Sequence, residues 1–260
     1  MALVPNYSMN ISLAAEPILN IGGLHITNAI FTGWIVSLLM IIGAFFGTRT
    51  IRLLPGKVQN LLEVLIEMFY NLVESVSKEK TKKFFPLIAT FFFFILFSNW
   101  LGLLPGFGSL GIFEEHEGKR ILIPFFRAAT SDLNTTLALA LVAVVSIQFF
   151  GIKEIGLKAH LGKFFINPLK KPIEGFVGIL ELVLEFAKII SFAFRLFGNV
   201  FAGEVLITVV TSLIPIIIPL PFLGLEVFVG FIQALVFALL TLVFIQIATV
   251  SHGVEEVATH

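Results

Sequence analysis

The sequence predicts an all-α polytopic membrane protein. It should have about five membrane-embedded helices and one amphipathic surface helix, the last two embedded helices being long and steeply inclined. Three observations predict this. Hydrophobic residues make up 57% of the 260 residues and charged residues only 13%, about half the charged share of an average soluble domain. Mean hydropathy is +1.01. The apolar residues also fall in runs that match or exceed the roughly 20 residues needed to span a bilayer. A soluble fold of this length has too little interior for so much apolar surface, so its solvent is lipid. Backbone polar groups in lipid must be bonded within the chain, and that selects helices for these runs.

The chain reads as a single membrane domain. Residues 1–27 form an N-terminal segment expected outside. Residues 1–48 contain no Lys or Arg, so the start lacks the basic region of a secretory signal and no cleaved segment is expected. Embedded helices are expected at 28–48, 84–105, 132–152, 173–214 and 221–251. Segment 57–78 differs. Leu61, Leu62, Val64, Leu65, Met68, Phe69 and Leu72 are interleaved there with Gln59, Asn60, Glu63, Glu67, Asn71 and Glu74. That pattern has a helical period and one polar face, so the segment should lie on the membrane surface. A connector helix without lipid contact is the plainer alternative.

Basic residues orient the spans. Arg49, Arg52, Lys57, Lys78, Lys80, Lys82 and Lys83 crowd the 49–83 connection, and Lys153, Lys158, Lys163, Lys170 and Lys171 the 153–171 connection. Both should be cytoplasmic. The 106–131 loop offsets Lys119, Arg120 and Arg127 with Glu114, Glu115 and Glu117, and belongs outside. Five embedded segments then place the N-terminus outside and the C-terminus in the cytoplasm.

Segment 173–214 would extend about 63 Å as one helix, against a hydrocarbon core of about 30 Å. No proline interrupts it between Pro172 and Pro215, so a single steeply inclined helix is expected. The over-long 221–251 segment follows the stiff stretch from Pro215 to Pro221, and the two should pair lengthwise.

Ionisable residues inside a membrane are functional candidates. Segment 173–214 carries Glu174, Glu181, Glu185, Lys188, Arg195 and Glu204. At about 100° per residue, Glu181, Glu185, Lys188, Arg195 and Asn199 share an arc of roughly 80°, with Glu204 off it. Ala187, Ser191, Gly198 and Ala202 form an adjacent stripe of small residues, suited to close approach of another helix. In the last segment Glu226, Gly230 and Gln233 share one face, and Gln233 would meet Arg195 if the two helices run antiparallel. Glu185 and Lys188 can equally be an ordinary intrahelical ion pair, and Glu181 and Lys188 can reach the headgroups. Arg195 is different. It stands about 20 residues from either helix end and has no carboxylate three or four residues away, so its partner must lie elsewhere.

The run Phe194-Arg195-Leu196-Phe197-Gly198-Asn199, continued by Ala202-Gly203-Glu204, resembles the signature of the F-type ATP synthase subunit a family. Leu54-Pro55-Gly56-Lys57-Val58-Gln59 with Glu63, Ser98-Asn99-Trp100-Leu101-Gly102-Leu103-Leu104-Pro105, Ser131-Asp132-Leu133-Asn134-Thr135-Thr136-Leu137, and Gln233-Ala234 with Thr241 resemble further family segments, in family order. The resemblance spans roughly residues 30–252. It implies a stator proton channel, with Arg195 facing a rotor ring of c subunits. Glu204 and Glu226 match ionisable positions of the half-channel from outside, and Asp132, Asn199 and Gln233 polar positions around the path. Glu181, with Glu185 nearby, matches the cytoplasmic exit. The 187–202 stripe becomes the ring contact. Phe244 departs from relatives that carry Tyr there, and carboxylates at both 204 and 226 are not shared by all relatives. The implied partners are the c ring, a b-subunit peripheral stalk, other subunits of the complex, and lipid, in a bacterial plasma membrane. No cofactor, no metal and no ATP chemistry are expected on this chain.

Other signals are weaker. The chain has no Cys, and its five His include no pair at a helical metal-ligand spacing. Gly106, Gly108 and Gly111 match a dinucleotide-loop spacing but follow a span instead of a strand. Asp132 also suits an N-cap of the third span. Phe91 to Phe94 read as lipid-facing bulk, and His252, Glu255 and Glu256 as a solvated tail. Nothing supports nucleic-acid binding. A secondary antiporter is the rival class, but it should show repeat symmetry and transport alone. A structural scaffold would have no use for Arg195.

Overall fold

The computed structural model describes residues 15–21, 24–49, 51–53, 55–104, 111–116, 119–164, 172–213 and 218–249. Only the backbone is described for residues 19–21, 24, 112–116, 119–123, 163, 172 and 174. Gly106, Gly108, Pro215 and the tail with His252, Glu255 and Glu256 lie outside these ranges. The described chain builds seven α-helices: α1 (Asn28–Arg49), α2 (Lys57–Ser77), α3 (Thr81–Gly102), α4 (Leu133–Ile155), α5 (Leu157–Phe164), α6 (Pro172–Leu213) and α7 (Pro219–Ala248). Among the described residues, four helical stretches are long and apolar enough to cross a membrane: Asn28–Arg49, Lys57–Gly102, Leu133–Ile155 and Pro219–Ala248. At 42 residues, α6 is about 63 Å long and fits a hydrocarbon layer of about 30 Å only when strongly inclined. The chain is an all-α polytopic membrane protein.

Two features were not foreseen. Short antiparallel hairpins, β1 (Pro17–Ile21) with β2 (Leu24–Thr27) and β3 (Gly111–His116) with β4 (Lys119–Pro124), flank the helices. Each is a two-stranded ribbon in a connecting segment, where water can take the edge hydrogen bonds that lipid could not. The second is α5. Gly156, at φ +89°, turns the chain immediately after α4, and α5 folds back on α4 and α6.

The core lies between α3, α4, α6 and α7. Phe84, Ile88 and Ile95 from α3 meet Ala140, Ala143 and Ile147 from α4, Ala193 and Leu196 from α6, and Ala238, Leu242 and Ile245 from α7, all fully buried. Small residues on α4 and α7 allow the close helix approach that substitutes in lipid for hydrophobic driving force. The α3–α7 seam is pinned by polar groups as well. Asn99 Nδ2 donates to the Gly230 carbonyl at 3.0 Å, Trp100 Nε1 donates to the Val227 carbonyl at 3.1 Å, and Asn99 Oδ1 accepts from Thr130 at 2.5 Å. A side chain at Gly230 would press on the Asn99 Cβ at 3.1 Å, so the glycine sets this spacing. The Phe91–Phe94 run is not simply lipid-facing. Phe91 packs against Phe237 and Phe92 stacks on Phe69, and both are buried.

α1 is buried chiefly near its start. Asn28, Ala29, Thr32 and Val36 are buried, whereas Trp34, Leu38, Leu39, Ile41, Phe45 and Phe46 are exposed. α2 leans its Phe69 and Val73 on the bundle and leaves Val58, Leu61, Leu65 and Met68 exposed. Gln59 fastens its start, donating to the Arg52 carbonyl and accepting from the Arg52 amide. Lys78, at φ 49°, breaks the chain between α2 and α3.

Candidate functional site

α6 and α7 position almost every candidate residue, and the polar residues of α6 fall into three regions along its length. At its N-terminal end, Glu185 accepts from Lys188 Nζ at 2.5 Å, so the plain intrahelical pair exists. The same carboxylate accepts from Gln148 Nε2 of α4 at 2.7 Å, and Gln148 Oε1 meets His160 Nε2 of α5 at 2.6 Å. The Lys188 ammonium sits 4.7 Å over the Phe244 ring. The aromatic face thus takes a cation. Glu181, Glu185, Lys188, Gln148, His160 and Phe244 line a cavity of about 40 Å³.

The middle of α6 is open. Arg195 is exposed, and its Nη2 donates to Ser191 Oγ at 3.2 Å. It forms no ion pair among the described residues. Ala187, Ser191 and Ala202 are exposed beside it, and nothing lies within 4 Å of a Cβ built on Gly198. Gln233 meets Asn199 instead of Arg195: Asn199 Nδ2 donates to Gln233 Oε1 at 2.6 Å. Gln233 is buried, and its Nε2 has no partner among the described residues. Beneath the open face, Phe192, Ala193, Leu196 and Val200 face the core, so the bundle itself presents Arg195 outward.

The C-terminal region gathers residues from four segments. Arg127, in the segment before α4, donates from Nε and Nη2 to Glu204 at 3.2 Å. The Arg127 side chain is 7% exposed and that of Glu204 38%. The Arg127 amide in turn donates to Thr32 Oγ1 of α1 at 3.3 Å. Glu226 is buried on α7 against Gly203 of α6, where any Cβ would fall on its carboxylate. The glycine is therefore the room that the acid occupies. Asp132 is buried and occupies the N-cap position of α4, but its side chain makes no capping bond; Oδ2 accepts from Thr135 Oγ1 at 3.3 Å. Among the described residues, no group of three or more His, Asp or Glu could hold a metal ion.

Comparison with known proteins bears on the whole assembly of α6 and α7. The family model described as ATP synthase A chain matches residues 30–246. The chain belongs to that family. It is 33% identical to ATP synthase subunit a of Moorella thermoacetica over 91% of this chain and 96% of that protein. Identity is 36% with ATP synthase subunit a of Gloeobacter violaceus, over 85% and 83% of the two chains. It is 37% with that of Geotalea daltonii, over 84% and 86%. The family match takes in α1 through all but the last residues of α7, and leaves the β1–β2 hairpin outside it.

Within this family chain, four residues near the candidates escaped sequence reasoning. Arg127 was read only as loop charge; its partner is 77 residues away, beyond any local pattern. Gly203 looked like part of a motif, and only the α6–α7 contact shows what its missing side chain accommodates. His160 and Gln148 carried no assignment. A glutamine within the apolar run of α4 was the available signal, since an intramembrane amide needs a partner.

Proposed function

We propose that this chain is the stator subunit through which a rotary F-type ATP synthase passes protons to and from a ring of c subunits. The observation that carries the reading is Arg195, a guanidinium at mid-helix on an open face, with no carboxylate partner among the described residues. A cation deep in lipid is costly unless paired. The pairing group would be the carboxylate that each c subunit brings past Arg195 as the ring turns. Ala187, Ser191, Gly198 and Ala202 give that ring close access.

Two half-channels, offset along the ring, meet it from opposite sides of the membrane. A proton from outside passes Asp132, Glu226 and Glu204 and protonates a ring carboxylate, which then faces lipid as a neutral group. The Asn199–Gln233 pair lines the path beside the ring. After nearly a full turn the carboxylic acid reaches Arg195. The positive charge favours its ionised form, and the proton leaves past Glu185 and Glu181. Arg195 also blocks a direct leak, because a guanidinium stays protonated and cannot relay. The driving force is about 2.3 kcal/mol per charge per 100 mV.

The partners are the c ring, a b-subunit peripheral stalk and the other subunits of the complex. The basic connections around Arg52 and Lys83 support a cytoplasmic C-terminus and an external N-terminus, in a bacterial plasma membrane. The antiporter alternative has no support in the family match or the relatives. Arg195→Ala in the reconstituted complex tests the reading: ATP-driven proton pumping should fall to background, and pumping at the normal rate would sink it.

A further inference from the structure

We propose that His160 is a positioning residue of the exit half-channel, holding the Gln148 amide so that it donates to Glu185. This rests on the reading of Arg195 and the exit path given above.

The local structure is built around this imidazole. Gly156, at φ +89°, adopts a backbone conformation open chiefly to glycine, and the turn returns α5 toward α4. The His160 amide donates to the Gly156 carbonyl at 3.0 Å. The ring then enters a notch at Gly151, where a Cβ would stand 2.6 Å from Cε1 of the imidazole and 3.2 Å from the Ala248 carbonyl of α7. His160 is 3% exposed. Two glycines, one at the turn and one in the facing helix, therefore seat a single buried ring.

Donor and acceptor counting fixes the direction of the chain of bonds. The Glu185 carboxylate, ion-paired with Lys188, accepts, so Gln148 turns its amide nitrogen toward it, at 2.7 Å. The Gln148 carbonyl oxygen then faces His160 at 2.6 Å, and His160 Nε2 must carry the hydrogen. Without that donor the amide is free to rotate and turn its oxygen on the carboxylate. Glu185 also holds Lys188, and both border the cavity with Glu181. At about 40 Å³ the cavity has room for two or three waters. The orientation of one amide thus governs how the two exit carboxylates meet that water. The charged groups lining the cavity beside His160 are Glu181, Glu185 and Lys188 of α6. α4 contributes the neutral Gln148, and α7 contributes Phe244, Ile247 and Ala248. Lys158 of α5 itself is exposed.

The test separates the donor from the bulk of the ring. In vesicles carrying the whole complex, His160→Phe keeps a ring and loses the donor, whereas His160→Gln keeps a donor and loses the ring. Proton pumping per assembled complex should fall roughly tenfold in His160→Phe, in line with losing a hydrogen bond to a charged network. His160→Gln should restore most of it. Gln148→Leu should match the Phe variant, and the double variant should be no worse than either. Normal pumping by His160→Phe overturns the proposal, as does a His160→Gln that fails as badly as Phe. If either His160 variant fails to assemble, Gln148→Leu alone decides, because normal pumping there also overturns it. Arg195→Ala, measured alongside, keeps the two claims apart. Pumping by that variant would defeat the reading of the channel, whereas its silence beside an unaffected His160→Phe defeats only this inference.

Discussion

Arg127 and Arg195 sit in the same membrane protein in opposite circumstances. Arg127 is buried and grips Glu204 through two of its nitrogens. Arg195 is exposed on the middle of α6, where it donates to the hydroxyl of Ser191 and forms no ion pair among the described residues. The first guanidinium belongs to the architecture: it ties the segment before α4 to α6, while its amide ties the same segment to α1. The second is left over by the architecture. The contrast teaches that burial within a chain and depth within a membrane are separate properties, and that a charge is most informative where the fold declines to neutralise it.

Substitutions should separate the two arginines by what they damage. The largest effect is expected from Arg195→Lys. It keeps a cation but replaces the guanidinium by an ammonium that loses its proton readily on burial, and proton-driven ATP synthesis should drop at least roughly a hundredfold, given that each 1.4 kcal/mol is about tenfold. The melting temperature of the purified complex should hardly change. Normal synthesis by the lysine variant would remove the distinction. Glu204→Gln should weaken the fold as well as proton uptake, because it leaves Arg127 buried without its anion. Breaking a fully buried pair costs about 3–5 kcal/mol; with Glu204 38% exposed, about 2 kcal/mol is expected. Thermal unfolding in detergent should register the change, and an unshifted curve would mean that the pair is ornamental.

A subtler comparison sets Gly203 against Gly198, five residues apart on the same helix. Gly203→Val must displace the Glu226 carboxylate, with overpacking of about 1–3 kcal/mol. Proton uptake from the outer side should slow in parallel. The smallest effect should come from Gln233→Leu, which removes the acceptor for Asn199. It should reduce conduction severalfold and leave assembly intact, a neutral hydrogen bond contributing about 1 kcal/mol. Conduction at the normal level in the leucine variant would remove the pair from the path.

The sequence told more about α6 and α7 than about what surrounds them. An uninterrupted 42-residue helix follows from the missing prolines, and a shared face for Glu226, Gly230 and Gln233 follows from helical spacing. All three are buried together. The arc that Arg195 shares with its polar neighbours was legible for the same reason, since helix geometry is local, whereas its outward aspect was implied only by the family resemblance. Pairings across the bundle were not. The partner of Glu204 depends on where the chain returns after the β3–β4 hairpin, and that of Glu185 on a reversal at Gly156. The phenylalanines at 91 and 92 were misread because lipid and a protein interior suit an aromatic ring equally well. Asp132 was half legible: it takes the N-cap position, yet its carboxylate bonds Thr135 and not the helix amides.

Gly198 carries a last consequence. A glycine inside a helix weakens it by roughly 0.5–1 kcal/mol relative to alanine, and no neighbour among the described residues occupies the gap it leaves. The protein by itself gains nothing from that clearance. Alanine there should make the isolated helix sturdier and the working machine worse, because each added methyl group increases the stand-off between the stationary surface and whatever slides across it.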